Sequence, residues 1–198
     1  MEPLACVVRG FEETGPKEGD TIAIIGLGSI GLMFAKLAKL YGCRVIAIGR
    51  RRSQLERAAA LGVDELIAVE GESNPVETIR GLTHGRGVDI AIEAVGKPQT
   101  WQWAVDMVRR GGMVNFFGGC PNGSNVSLDT ALLHYSEITC KATFHHTPAY
   151  IRKALDLVCA GHITASFFVN REEPLTNLLE VMRHLMSHNG HLKTAIVP

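Results

Sequence analysis

The sequence predicts an α/β fold in which a parallel sheet is covered by helices on both faces. Short apolar stretches typical of buried strands alternate with helical patterns along most of the 198 residues. Only short segments rich in Gly, Pro and Asn separate these stretches, and no repeat or low-complexity tract interrupts them. Because parallel strands need long crossover connections, usually helices, this alternation indicates a doubly wound parallel sheet.

The first half of the chain is predicted to form three strands and three helices. In order, we expect a helix over 1–15, a strand over 21–25, a helix over 29–41, a strand over 44–48, a helix over 54–60 and a strand over 66–69. Gly42 and Gly62 end two of the helices, since glycine readily closes a helix C-terminus. Ser53 and Glu56 have the spacing of a capping box, which predicts a helix start at Ser53.

The second half continues the pattern and ends in a different kind of segment. We expect a helix starting at Asn74–Pro75, strands over 88–93 and 112–117 with a helix over 99–109 between them, a sixth strand over 138–144 and a helix over 148–159. The tail is predicted to add a strand over 165–169, an amphipathic helix over 174–187 and a strand over 191–197. The predicted organisation is a first domain over 1–144 followed by a helix-strand segment over 145–198.

The most specific motif is a glycine-rich turn between the first strand and its helix. It reads Gly26-Leu27-Gly28-Ser29-Ile30-Gly31. Gly26 allows a sharp turn, Gly28 lets the backbone approach a pyrophosphate, and Gly31 lets the helix pack close to the strand with its N-terminus at the phosphates. Because a strand precedes the motif and a helix follows it, the sequence predicts a Rossmann-type fold that binds a dinucleotide.

The end of the second strand favours one dinucleotide over the other. NAD sites usually carry Asp or Glu there, whereas this chain has Gly49 followed by Arg50, Arg51 and Arg52. Guanidinium groups bind a ribose 2′-phosphate, often through two hydrogen bonds, and a carboxylate would repel it. We therefore expect NADP, with NAD the less favoured alternative. The arginines could instead belong to a solvated loop before the next helix.

Composition excludes several classes of partner. Twenty basic and twenty acidic residues give no net charge, which argues against nucleic acid as the main partner. No stretch approaches the ~20 apolar residues of a membrane span, and the N-terminus does not have the layout of a signal peptide. The five cysteines stand singly without a CxxC pair, which is typical of reduced thiols in a cytoplasmic protein.

Several stretches together resemble the zinc-dependent alcohol and polyol dehydrogenases of the medium-chain dehydrogenase/reductase superfamily. The stretches are EPLA at 2–5, GLGSIG at 26–31, GVDIAIEAVG at 87–96, GGMVNFFGG at 111–119 and HYSEITCKATFHHTP at 134–148. The resemblance covers essentially the whole chain, and its last stretch is specific to the polyol and threonine dehydrogenases.

The resemblance implies cofactor contacts beyond the glycine-rich turn. Ala94, Val95 and Gly96 would line the cofactor after the fourth strand. Phe117, Gly118 and Gly119 would approach the nicotinamide, with Phe144 at the far end of that pocket. Core packing is the alternative for Phe117 and Phe144. The region 126–144 resembles an edge strand that pairs across a two-fold axis, so a homodimer is expected.

The resemblance also implies what lies outside these residues. Family members carry a catalytic domain ahead of this region, with a Cys and a His that bind the catalytic zinc. Glu2 resembles the family's zinc-proximal glutamate, and one carboxylate does not hold zinc. We therefore expect zinc only in a full-length enzyme and no catalysis by the isolated chain. The alternatives are a stand-alone dinucleotide-binding or sensing module and, less favoured, a zinc-independent reductase.

Other reactive side chains are interpreted as structural. His184, His188 and His191 have metal-ligand spacing, yet the polar face of the predicted helix explains the first two. His145–His146 is expected to have a hydrogen-bonded structural role, and Cys43 and Cys140 to be buried thiols. Glu93 could contact a ligand, or its carboxylate could be satisfied by loop amides.

Overall fold

The computed structural model describes residues 1–69, 71, 73–186 and 192–198. The chain divides into two compact units, Met1–Ala154 and Leu155–Pro198, and each is considered by itself. No helix in the described residues is both long enough and apolar enough to cross a membrane.

A six-stranded parallel sheet forms the centre of the first unit. Its strands are β1 (Thr21–Ile25), β2 (Arg44–Gly49), β3 (Glu65–Ala68), β4 (Val88–Glu93), β5 (Val108–Phe116) and β6 (Thr139–Ala142). They lie in the order β3-β2-β1-β4-β5-β6, and every neighbouring pair is parallel. The strand order reverses between β1 and β4, which confirms the predicted doubly wound sheet of the Rossmann type.

Among the described residues, seven helices of this unit connect or flank the strands. They are α1 (Glu2–Glu12), α2 (Ser29–Leu40), α3 (Arg52–Ala60), α4 (Pro75–Leu82), α5 (Pro98–Met107), α6 (Thr130–Tyr135) and α7 (Pro148–Cys159), whose last residues belong to the second unit. Asn74 caps α4 as expected, since its side chain accepts a hydrogen bond from the Val76 N–H at 3.0 Å.

The central strands β1, β2 and β4 are buried on both faces of the sheet. Ala23 and Ile25 of β1 belong to an apolar cluster that includes residues of α4 and α5. The intervening residue Ile24 points to the other face of the sheet, towards α2. A Cβ placed on Gly31 of α2 would lie 3.6 Å from the Cγ2 atom of Ile24. Because both of their faces are covered, β1 and β2 are almost continuous apolar runs without a polar alternation.

A buried carboxylate ties the N-terminal ends of the strands together. Asp89 of β4 accepts hydrogen bonds from Arg86, from Arg109 of β5 and from the Thr21 N–H of β1, at 2.6–3.2 Å. Burial acts to raise the pKa of Asp89, but these donors outweigh it and lower the pKa to about 2. Asp89 therefore stabilises the N-terminal ends of the strands, opposite to the carboxyl ends, where a ligand would bind.

Several local features differ from the prediction. Helix α3 begins at Arg52 with Arg51 as its N-cap, so the capping box expected at Ser53 is absent and Glu56 instead pairs with Arg52. The short helix α6 was not predicted, and the second unit contains an unpredicted strand, β7 (Arg171–Pro174). The strand expected over 165–169 is wrong: this segment forms a short helix, α8 (Ala165–Phe168), because a brief apolar run fits either state.

The second unit contains a small parallel pair of strands and an amphipathic helix. Strand β7 pairs with β8 (Thr194–Val197), and a 3₁₀ turn over Leu175–Asn177 leads into α9 (Leu178–Met186). Most apolar side chains of α9 are exposed, with Leu179 72% and Met182 54% accessible, whereas Val181 is buried. The predicted helix-strand tail is present, with a large apolar surface in this chain.

Candidate functional site

A cleft with a volume of about 620 Å³ lies at the carboxyl ends of the strands. The chain segments that follow β1, β2, β3 and β4 all contribute to it. Its lining includes Gly26, Leu27, Gly28, Gly49, Arg50, Arg51, Gln54, Val69, Ala94, Val95, Lys97, Gln99, Thr100 and Trp103. This is the point where the strand order reverses, at which open α/β sheets bind their ligands.

The glycine-rich turn has the geometry that its sequence predicts. Gly26 adopts φ +96°, and a Cβ there would come within 2.5 Å of a Val95 methyl group. A Cβ on Gly31 would overlap the Gly26 carbonyl oxygen, so only glycine lets α2 pack this closely on the turn. A Cβ on Gly28 would meet nothing within 4 Å, which leaves room for a ligand beside the backbone. Ser29 and Ile30 follow in the first turn of α2.

The arginine cluster divides into two groups. Arg50 and Arg51 line the cleft, whereas Arg52 points along α3 and pairs with Glu56 at 2.9 Å. A Cβ on Gly49 would lie 2.8 Å from Leu27, so this position leaves little room for the carboxylate of a typical NAD site. Arg50 and Arg51 thus line the cleft at the end of β2, where a typical NAD site carries an acid.

Glu93 holds the far wall of the cleft in shape. Its fully buried carboxylate accepts hydrogen bonds from the Val95 and Gly96 N–H groups at 2.8 and 3.0 Å and from the Thr100 hydroxyl at 2.8 Å. Burial raises the pKa of Glu93 above its usual value, although these hydrogen bonds act to lower it. Of the two roles left open for Glu93, the structure supports the carboxylate satisfied by loop amides.

The remaining predicted residues lie close to this wall. Gly96 has φ +79°, and a Cβ there would collide with the Gly119 carbonyl oxygen. A Cβ on Gly118 would lie 2.6 Å from Glu93 Oε2. The loop after β5 can therefore lie against the loop after β4 only because this residue has no side chain. Glycine is thus required where these two loops touch, for reasons of packing as well as ligand approach.

The two predicted aromatic contacts lie outside this cleft. The Phe117 ring packs edge-to-face against Phe34 of α2 with the centroids 5.0 Å apart, so its side chain has a packing role in this structure. Phe144 is 79% exposed and contacts the neighbouring His145 ring. Neither placement tests a contact with nicotinamide, which stays a prediction for both residues.

Sequence reasoning missed the cleft residues contributed by the start of α5. Lys97, Gln99 and Trp103 line the cleft from this helix, and the Trp103 indole N–H is buried without a hydrogen-bond partner in the described residues. The signal available in the sequence was the Lys97–Pro98 step, which begins a helix directly after the fourth strand. Such a buried donor can be satisfied by an acceptor atom of a ligand.

The two thiols singled out in the sequence, Cys43 and Cys140, differ in exposure. Burial raises the pKa of Cys43, as predicted for an inert thiol, and it raises the pKa of Cys140. Cys140 is nevertheless exposed on β6, so the expectation of burial is wrong for this residue, because β6 is an edge strand. Of the three histidines with metal-ligand spacing, His188 and His191 lie outside the described residues.

The fold and the cleft define a dinucleotide-binding domain, and comparison with known proteins identifies the family. The profile of the zinc-binding dehydrogenase family matches residues 29–160. A sorbitol dehydrogenase of Bacillus subtilis (strain 168) is 30% identical over 200 residues, which cover the whole of this chain and 56% of the relative. The chain thus spans about half the length of this relative.

Two further comparisons involve NADP. A protein described as a zinc-binding dehydrogenase from Sinorhizobium meliloti 1021, solved with bound NADP, superposes with a TM-score of 0.91 at 29% identity, over 100% of this chain and 58% of that one. An NADP-dependent isopropanol dehydrogenase of Thermoanaerobacter brockii is 40% identical over 115 residues, which cover 56% of this chain and 32% of the relative. The chain belongs to the zinc-binding dehydrogenase family and represents the cofactor-binding portion of a medium-chain dehydrogenase/reductase.

The Glu93 network predicts a large effect of a single substitution. Glu93→Ala leaves the Val95 and Gly96 N–H groups without their carboxylate acceptor, and it opens a cavity. We expect the free energy of unfolding, measured by urea denaturation, to fall by about 3 kcal/mol. Glu93→Gln retains one acceptor oxygen and should cost less. The exposed control Glu180→Ala should stay within about 0.5 kcal/mol of wild type. A Glu93→Ala variant as stable as the control would contradict this role.

Proposed function

We propose that this chain is the NADP(H)-binding part of a zinc-type alcohol or polyol dehydrogenase. In such an enzyme the nicotinamide accepts or donates the hydride when an alcohol and its ketone interconvert, and zinc polarises the substrate oxygen. The observation that carries the proposal is the cleft at the strand reversal, with a glycine-rich turn at one end and two arginines at another. The two NADP-related relatives support it.

The residues present fit a bound dinucleotide. Gly28 leaves open space beside the N-terminus of α2, where backbone N–H groups can bind a pyrophosphate. Trp103 adds a buried donor that has no partner among the described residues. Arg50 and Arg51 supply positive charge at the position where the ribose 2′-phosphate of NADP would lie. Lys97 contributes a further cation to the same cleft.

The proposal is tested by binding and turnover of the purified chain. We expect calorimetric titration to show one NADP(H) site per chain and assays with secondary alcohols to show no turnover, because the family's zinc-binding Cys and His would come from its catalytic domain. Addition of that domain should restore turnover if the chain is the cofactor half of an enzyme. Absence of NADP(H) and NAD(H) binding would refute the proposal, and alcohol oxidation by the chain alone would refute the predicted inactivity.

The preference for NADP over NAD is tested by substituting Arg50 and Arg51 together and Arg52 alone. The double variant Arg50→Ala/Arg51→Ala should lose about tenfold or more in NADP affinity, since each charged hydrogen bond is worth ~1.5–3 kcal/mol, while NAD affinity should change little. Arg52→Ala is the matched control, because its guanidinium pairs with Glu56 outside the cleft. Equal losses of NADP affinity in the double variant and the control would show that Arg50 and Arg51 do not bind the 2′-phosphate and belong to a solvated loop.

We further propose that two copies associate through β6. This strand is the outer edge of the sheet, and Thr139, Cys140 and Ala142 are exposed on it. Its unpaired backbone groups could pair with a second copy. Sedimentation velocity should show a dimer that Cys140→Asp weakens, whereas Leu66→Asp on the opposite edge strand β3 should not. A wild-type monomer at all concentrations would exclude this dimer.

A further inference from the structure

Three side chains that can bind a metal meet on the first unit, away from the dinucleotide cleft. Glu2 and Cys6 lie one turn apart on α1, and His146 lies in the loop between β6 and α7. Cys6 Sγ is 3.2 Å from Glu2 Oε1 and 3.4 Å from His146 Nδ1, and the last two atoms are 3.4 Å apart. The fold therefore brings residues 140 positions apart in sequence into one cluster.

These distances match one face of a zinc coordination tetrahedron. Zinc bonds of about 2.3 Å to sulfur and about 2.0–2.1 Å to nitrogen and oxygen place the donor atoms of tetrahedral ligands roughly 3.3–3.6 Å apart. All three observed distances lie within a few tenths of an ångström of that range. Thiolate, imidazole and carboxylate are also the donors that zinc uses in proteins.

The loop that carries His146 is held to α1 and β5 by contacts outside the cluster. Arg9 of α1 donates a hydrogen bond to the Phe144 carbonyl at 2.9 Å, which ties the loop after β6 to the helix that carries Cys6. Asn115 of β5 donates to the Gly10 carbonyl at 2.9 Å and accepts from the Thr143 hydroxyl at 3.2 Å. Because helix and loop are held together in this way, little ordering is needed to bring the three ligands together.

We propose that Glu2, Cys6 and His146 form a binding site for a zinc-type divalent cation within this chain. The expected catalytic zinc of the family would use a Cys and a His from the catalytic domain, so Cys6 and His146 are additional ligands. The Glu2 side chain is 56% exposed and His146 23%, so an ion can enter and a fourth position can be filled from solvent. The proposal is independent of dinucleotide binding.

Cobalt(II) is a suitable probe because its spectrum reports both thiolate ligation and tetrahedral geometry. The chelator-treated chain is titrated with Co²⁺ and then with Zn²⁺. We expect one equivalent of Co²⁺ to bind, with a sulfur-to-cobalt charge-transfer band and intense visible bands that Zn²⁺ abolishes. Cys6→Ser should remove the charge-transfer band, and Cys6→Ser and His146→Asn should each weaken binding by about 10–100-fold or more.

Matched controls separate this site from other thiols and imidazoles. Cys159→Ser changes an exposed thiol, and His145→Asn changes the adjacent imidazole at φ +65°, a conformation that asparagine tolerates. Both should bind Co²⁺ like wild type. Retained NADP binding by every variant shows that the fold is intact and separates this result from the proposed function. No stoichiometric metal binding, or binding unaltered in Cys6→Ser and His146→Asn, would overturn the proposal.

Discussion

The buried carboxylate of Glu93 is the constraint on which the cleft depends. It stands at the end of β4, beside the reversal of strand order, and binds the loop after β4 and the start of α5 at the same time. Gly118 can approach this carboxylate only because it has no side chain. One buried acid thus holds the loop after β4 and the start of α5, and the loop after β5 lies against it. A carboxyl group this deeply buried is tolerable because hydrogen-bond donors surround it.

The opposite side of the cleft depends on glycines, whose lack of a side chain allows close backbone packing. Gly26 and Gly31 let the β1–α2 turn close on itself, and Gly49 makes room for Leu27 at the end of β2. Hydrogen bonding on one wall and close backbone packing on the other leave a preformed space between them. Two arginines at the end of β2 then give this space its charge.

Much of this arrangement could be predicted from residues whose chemistry is local. The glycine-rich turn, the strands around it and the arginines next to the cleft follow from spacing and from the steric needs of single positions. Long-range features could not be predicted this way. The division of Arg50 and Arg51 from Arg52 depends on where α3 begins, and the exposure of Cys140 depends on β6 being an edge strand. Trp103 lines the cleft because α5 begins beside it, directly after β4, and this placement depends on the packing of the helix on the sheet.

The same reasoning explains why the Glu2, Cys6 and His146 cluster is invisible in the sequence. Glu2 and Cys6 have helical spacing, but many exposed pairs of residues do. His146 joins them only because the fold places the loop after β6 next to α1. The Arg9 and Asn115 hydrogen bonds that join these elements are each modest in energy. Together they bring three zinc-type donors to distances suited to one ion, beside a sheet whose cleft is suited to a dinucleotide. A chain of this family can therefore combine, in one small unit, a built cofactor site and a metal-ligand set of its own.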